Sequence, residues 1–434
     1  MAFFKKNNVS PPNAVGPVAL GEAALGGLRG IRLRNTFQAL RHRNYRLYFW
    51  GQIVSLFGTW MQITAQGFLA FELTRSTAFL GVLGFATGAP TMLFMLYGGV
   101  VADRMDKRKL MLLTQVIMTL LAVLTAVLTF TGAVRPWHLI LLALGFGSAN
   151  AFDAPARHSI IVELVGRADL TNAIALNASM FNGAAVVGPA LAGVLYALAG
   201  PGWCFALNSL SFLAVIAALL AIKLRKRGAG SARASAWTEL KEGLSYAFGQ
   251  PVIRGLLGLI MGASLFGSSL AAIFPAWAVK VLGRDAAANG LLHAARGFGA
   301  LLSALVIASL GHFQFRGRLL ALGSGIFPFF ILFFALVRWM PLSLFSLVGA
   351  GFSVVLIFNL ANALIQSLVD DRLRGRVMSI YSLTFFGFMP LGALWLGETA
   401  EKLGEPWAVI LAAGGLLLVS SAVMIITPSL RKQK

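Results

Sequence analysis

The sequence predicts an all-α integral membrane protein, with twelve transmembrane helices arranged as two pseudo-symmetric six-helix bundles. Three observations predict it. The first is composition. Of 434 residues, 58% are hydrophobic and 12% charged, against roughly 45–50% and 25% in soluble domains, and the mean hydropathy is +0.79. The second is a series of apolar runs, each near the ~20 residues that cross a bilayer as a helix. The third is charge. A net charge of +21 would suggest nucleic acid in a soluble chain. Here Lys and Arg sit between the apolar runs and alternate in density, so membrane topology accounts for them. The runs are too long for barrel strands and lack their alternation.

The elements follow in order. Residues 1–36 carry Pro11, Pro12 and Pro17 and no apolar face; they read as a disordered tail. Residues 37–50, FQALRHRNYRLYFW, are basic and aromatic, as suits a segment running along the membrane surface. Six spans are expected at 47–71, 78–102, 109–131, 137–154, 172–199 and 201–222. The first starts too late and runs too long for a cleavable signal. Residues 223–251 are basic, then small and flexible, then amphipathic, and serve as a linker. Six further spans are expected at 252–281, 289–310, 317–338, 342–368, 377–397 and 405–427, followed by a tail at 428–434. The domains are thus 1–46, 47–222, 223–251, 252–427 and 428–434. With the N-terminus inside, 29 of the 36 basic residues fall in inside segments. Six fall outside: Arg75, Arg135, Lys280, Arg284, Arg338 and Lys402. That split predicts both termini in the cytoplasm. Arg296 is left over, inside the eighth span.

The halves echo each other. Residues 159–189 and 363–390 share a polar loop after Leu-Val, a small-residue helix, then Gly and Pro. A parallel repeat of six spans is a pattern of secondary transporters. The second cytoplasmic loop reads GGVVADRMDKRK (98–109). Gly99 permits close helix contact, Asp103 can sit against a helix N-terminus or an arginine, and Arg104, Lys107 and Arg108 hold the loop inside. This run resembles the signature of the major facilitator superfamily, with Asp106 where that signature often has Gly. Residues 41–62, 151–177, 181–193 and 373–381 narrow the resemblance to the bacterial secretion-transporter branch that includes the enterobactin exporter. The resemblance spans residues 37–427 and implies the major facilitator fold in a bacterial inner membrane.

Several candidate site residues follow. FNGAAVVGPALAG (181–193) resembles the motif associated with exporters in that superfamily. Its Gly188, Pro189 and Gly193 allow close helix approach and a bend, which suits a gating seam. Arg374 and Arg376 open the eleventh span, and Asp103 is expected to engage them when the inner gate is shut. Ionisable residues in spans are functional suspects, because burial costs at least ~2.5 kcal/mol. Arg296, with His293 one turn earlier, is a candidate anion contact. Glu72 and Asp153 are the candidate proton carriers, placed at the outer end of span one and the inner end of span four. Many proton-coupled relatives carry an arginine four residues before the position of Gly145; here Leu141 stands there, which weighs against that route. Gln62 and Gln66 in span one, and Asn359, Asn362 and Gln366 in span ten, form stripes at helical spacing. The resemblance implies that spans one, four, seven and ten line a central cavity, so these amides are candidate substrate contacts.

The expected function is secondary active transport: a proton-coupled exporter of a small amphipathic molecule, siderophore-like or drug-like, working by alternating access. A lipid or lysolipid flippase or a uniporter of the same fold is the alternative. A scaffold or enzyme fits less well. Asp370-Asp371 is one acidic pair where a prenyltransferase needs two, and no GxxxxGK[ST] loop is present to bind ATP. The single cysteine, Cys204, excludes an intramolecular disulfide and a cysteine metal site. No catalytic residue, cofactor or metal is called for. The expected partners are the small-molecule substrate and the lipid bilayer, with no nucleic acid, and the chain is expected to act as a monomer.

Overall fold

The structure, a computed structural model, describes residues 37–222, 236–310 and 315–433. The tail expected over 1–36 and the basic start of the linker lie outside the described residues. Among the described residues there is no strand. The first six long helices are α1 (Arg43–Thr74), α2 (Thr77–Arg104), α3 (Lys107–Phe130), α4 (Pro136–Val165), α5 (Leu170–Ala199) and α6 (Pro201–Ala221). The second six are α7 (Pro251–Val281), α8 (Ala286–Leu310), α9 (Arg316–Leu336), α10 (Met340–Leu368), α11 (Asp371–Leu403) and α12 (Glu405–Ile426). Eleven described helices are long and apolar enough to cross a membrane. The twelfth, α1, has 32 residues, ~48 Å at 1.5 Å per residue. Its apolar character is diluted by Gln52, Gln62 and Gln66, all buried.

Several helices outrun the apolar runs that predict them. Helix α4 continues to Val165 instead of stopping near 154, and α11 covers 371–403 instead of 377–397. Hydropathy reports only the stretch that sits in hydrocarbon. Charged turns holding Arg157 and Glu163, or Glu398, Glu401 and Lys402, continue the same helix beyond it. The helix ends repeat between halves. Gly200 (φ 88°) ends α5 and Gly404 (φ 89°) ends α11, each in a left-handed conformation that glycine adopts at least cost. A proline then stands in the first turn of the next helix, Pro201 in α6 and Pro406 in α12. Helix α7 is the irregular one. It loosens at Ala263–Gly267, tightens at Ser268–Ile273 and loosens again at Trp277–Val281, around Gly262, Gly267 and Pro275.

Alternating helix direction puts both termini at one end of the molecule, here the terminal end; the other is the distal end. Between bundles, α2 packs on α11 and α5 packs on α8. Two equivalent proline positions sit on these seams. The Pro189 carbonyl oxygen lies 2.5 Å from where a Cβ on Gly290 would be, and the Pro390 ring crowds Gly88 in the same way. At the distal end the bundles share one apolar cluster: Phe68, Phe71, Leu83, Tyr196 and Phe205 close on Ala276 and Ala286. At the terminal end a short helix, Ala236–Gly249, lies against the start of α11. There Arg376 donates to Glu242, and Gly243 fits beside Ile380.

A candidate translocation path and its distal seal

Arg296 lies ten residues into α8, ~15 Å from the distal end of the helix and so near mid-membrane. Its backbone abuts Gly351 of α10, and Gly299, three residues on, abuts Val348. The side chain is half-buried and makes no hydrogen bond or ion pair among the described residues. His293, one turn distal, packs its ring edge-on against Phe274 at 4.8 Å. The amide stripe of α10 lies on the terminal side of Gly351. Asn359 begins it eight residues further on, ~12 Å toward the terminal end. Asn359 and Gln366 are exposed and Asn362 half-buried, and Gln366 Nε2 donates to Asn362 Oδ1 at 2.5 Å. The C-terminal bundle thus holds a half-buried cation on α8 and a run of amides farther toward the terminal end on α10.

The span-one amides are placed differently. Gln62 is buried and accepts from Asn208 Nδ2 of α6 at 2.6 Å. Gln66, also buried, donates to the Leu139 carbonyl of α4 at 3.4 Å. Both bonds lie within the N-terminal bundle. An amide buried in hydrocarbon must find a partner, and these two found helices. The carboxylates also bond within that bundle, Glu72 from an exposed position and Asp153 from a buried one. Glu72 accepts from the Tyr196 hydroxyl. Asp153 is 1% exposed, accepts from Thr114 at 2.8 Å and Gln115 at 3.1 Å, and lies 3.6 Å from Arg157 Nε. It is not a helix-end charge, because α4 runs three turns beyond it.

The gating residues divide by location. Gly193 faces Ala286 and Ala287 across the α5–α8 seam, with the Pro189 carbonyl one turn away, whereas Gly188 packs on Trp60 within its own bundle. Space is open beside Gly99, Gly183 and Gly375, all in the terminal half. Lys107 pairs with Glu163 at 2.5 Å, and Arg108 donates to the Leu219 and Leu220 carbonyls. Arg104 is exposed at the end of α2. Asp103 lies in the last turn of α2; its side chain falls outside the described residues. Arg374 pairs with Asp371 at 2.6 Å and donates to the Gln366 carbonyl, and Arg376 is taken by Glu242.

The distal end carries a group that the sequence alone does not single out. Glu401 of α11 reaches the first turn of α2. Its Oε2 accepts from the Thr77 amide at 2.6 Å, the Ala78 amide at 3.2 Å and the Ser76 hydroxyl at 3.2 Å. A carboxylate there satisfies orphan helix N–H groups and the positive end of the dipole. Beside it, the Thr77 hydroxyl donates to Glu405 Oε1 at 2.6 Å. Lys280 Nζ lies 2.8 Å from that oxygen, 3.0 Å from Thr77 Oγ1 and 5.6 Å from the Phe71 ring centre. Deeper in, Asn289 Nδ2 of α8 donates to the Thr64 carbonyl of α1 at 3.4 Å. These polar ties join the two bundles across the distal end.

Two six-helix bundles meeting at paired α2–α11 and α5–α8 seams define a transporter of the major facilitator superfamily. The fold matches a bacterial homologue of the human lysosomal transporter Spinster in an inward-facing, occupied conformation. That match has a TM-score of 0.73 and 15% identity, and covers 91% of this chain and 98% of that one. The nucleoside transporter NupG matches with a TM-score of 0.67 and 16% identity, over 88% and 98% of the two chains. The chain belongs to the transmembrane secretion effector family, whose profile matches residues 34–434. Among its relatives are the multidrug efflux pump Tap of Mycolicibacterium fortuitum, 24% identical over 86% of this chain and 93% of that one. The enterobactin exporter EntS of Citrobacter koseri is 25% identical over 90% and 93%.

Proposed function

We propose that this transporter is a secondary exporter that takes up a small amphipathic molecule from the cytoplasm and releases it outward by alternating access. One observation carries the reading. Among the described residues the polar ties between the bundles, from Glu401, Lys280 and Asn289, gather at the distal end. The excess of Lys and Arg in the terminal-end segments supports a cytoplasmic location for that end. In this reading the distal end is closed and the terminal end takes up cargo. The similarity to an enterobactin exporter and a multidrug efflux pump favours a siderophore-like or drug-like cargo. Arg296 would meet an acidic group on it, since an unpaired guanidinium in mid-membrane gains most from a charge-assisted bond.

Proton drive supplies the direction, as each charge moving down 100 mV releases about 2.3 kcal/mol. Glu72 and Asp153 are the carriers in this reading, with Asp103 kept for the terminal gate. The test is efflux from vesicles under an imposed pH gradient, screened against siderophores and cationic drugs. Glu72→Gln and Asp153→Asn are compared with the unaltered chain. A carrier mutant loses gradient-driven efflux but keeps cargo exchange. If both, and the double mutant, pump normally, neither carboxylate carries the proton.

A further inference from the structure

A second site lies on the outside of the C-terminal bundle, away from the path. A groove of about 550 Å³ lies between α9 and α12 toward the terminal end. The short turn Pro428–Lys432 borders its mouth; Gln433 O accepts from the Gly317 amide at 3.1 Å and ties that turn to the start of α9. Two arginines, Arg318 and Arg431, stand at the mouth, with no acidic residue in the lining. Both are exposed, and neither has a hydrogen bond or ion pair among the described residues. The walls are apolar and outward-facing: Leu322 is 57% exposed and Ile425 76%. Open space flanks Gly325 on the floor. Ser420, also in the lining, is buried with a hydroxyl that has no partner.

We propose that this groove binds an anionic phospholipid of the leaflet at the terminal end. The chemistry is graded along the groove as it is along a lipid. Arg318 is two residues from the start of α9, at headgroup level. Ser420 is six residues from the end of α12, ~9 Å deeper, where ester oxygens lie beneath the phosphate and can satisfy its hydroxyl. Beyond it only hydrocarbon walls remain, which suit an acyl chain. Two guanidiniums without a carboxylate select a net negative headgroup over a zwitterionic one. A free phosphate would use the mouth and leave the walls bare.

The experiment uses the full chain in detergent, with dioctanoyl phosphatidylglycerol, dioctanoyl phosphatidylcholine and inorganic phosphate as probes, read by native mass spectrometry and thermal shift. The glycerol lipid should bind and the choline lipid should not. Arg318→Gln with Arg431→Gln should weaken binding about thirtyfold, ~2 kcal/mol at 1.4 kcal/mol per decade. Gly325→Phe, which keeps both arginines, should block the acyl chain and abolish binding. Lys402→Gln, at the distal end, should change nothing. Unchanged binding in the double variant overturns the proposal. So does competition by inorganic phosphate at equal affinity, which would make the mouth an anion site. A dimer that Gly325→Phe dissociates would also overturn it, by making this face a contact between copies.

Discussion

Replacing Glu401 with alanine should open the distal end. Its carboxylate caps α2 from the opposite bundle, so it acts only while the bundles are closed there. Losing a helix cap costs ~1 kcal/mol, and losing the charge at the dipole end adds ~0.3–1 kcal/mol. Glu401 is exposed, so solvent screening trims the second contribution. The closed state should lose ~1–2 kcal/mol, which shifts its ratio to the distally open state by about 5–30-fold. The reporter is a cysteine at Ala286, 4% exposed within the distal seal. Cys204, the one native cysteine, is fully buried in the same distal cluster, and labelling of the chain without Ala286→Cys is subtracted. A membrane-impermeant maleimide, added on the side opposite the termini, should label Ala286→Cys faster by that factor in the Glu401→Ala background. Glu398→Ala is the control, because Glu398 pairs with Lys402 on its own helix. An unchanged labelling rate, or an equal rise in the control, refutes the latch.

Other expectations follow from the same contacts. Lys280→Ala strands the buried Glu405 carboxylate and should speed labelling of the same reporter at least as much as Glu401→Ala. Gly290→Val places a side chain against the Pro189 carbonyl and should hold the distal end open, giving fast labelling and no net transport. Gln62→Leu leaves the Asn208 Nδ2 donor without its partner in the bundle at a cost of ~1–3 kcal/mol; the thermal midpoint should fall while the KM for cargo stays unchanged. Arg296→Gln should raise the KM for an acidic cargo at least tenfold and spare a neutral one, measured by vesicle transport.

The spans, the halves and the mid-membrane arginine were legible because hydrocarbon imposes them: a run of ~20 apolar residues has few alternatives, and a charge within one stands out. The amide stripes were legible as polar faces, but not their partners. Spacing shows that Gln62 and Gln66 share a face, and Asn359, Asn362 and Gln366 do as well. It does not show that the first face meets α6 and α4 while the second stays open. The distal latch was illegible for another reason. Glu401 and Thr77 are 324 positions apart, and each reads locally as an ordinary helix-end residue. Lys280 counted only as an outer-loop charge. Asp153 was misplaced at a helix end because hydropathy falls near 154 while the helix continues with Arg157 in its next turn.

The repeat relates the parts mechanically. Pro189 in α5 meets Gly290 in α8, and Pro390 in α11 meets Gly88 in α2, so equivalent prolines press on glycines at both seams. A helix with an internal proline lacks one backbone bond and bends there. The Pro390–Gly88 contact lies eleven residues into α2, and the Pro189–Gly290 contact lies nearer the distal end, four residues into α8. Space is open at Gly99, Gly183 and Gly375 in the terminal half. Rocking of one bundle on the other lengthens one half of each seam as it shortens the other. The small residues of the terminal half are unused in the state seen here and are needed only when that half closes. Bulk at Gly183 should therefore leave this state undisturbed and block its counterpart. Bulk at Gly290 should do the reverse. A chain that rocks about symmetric seams must trap in opposite states when the two halves are overfilled in turn.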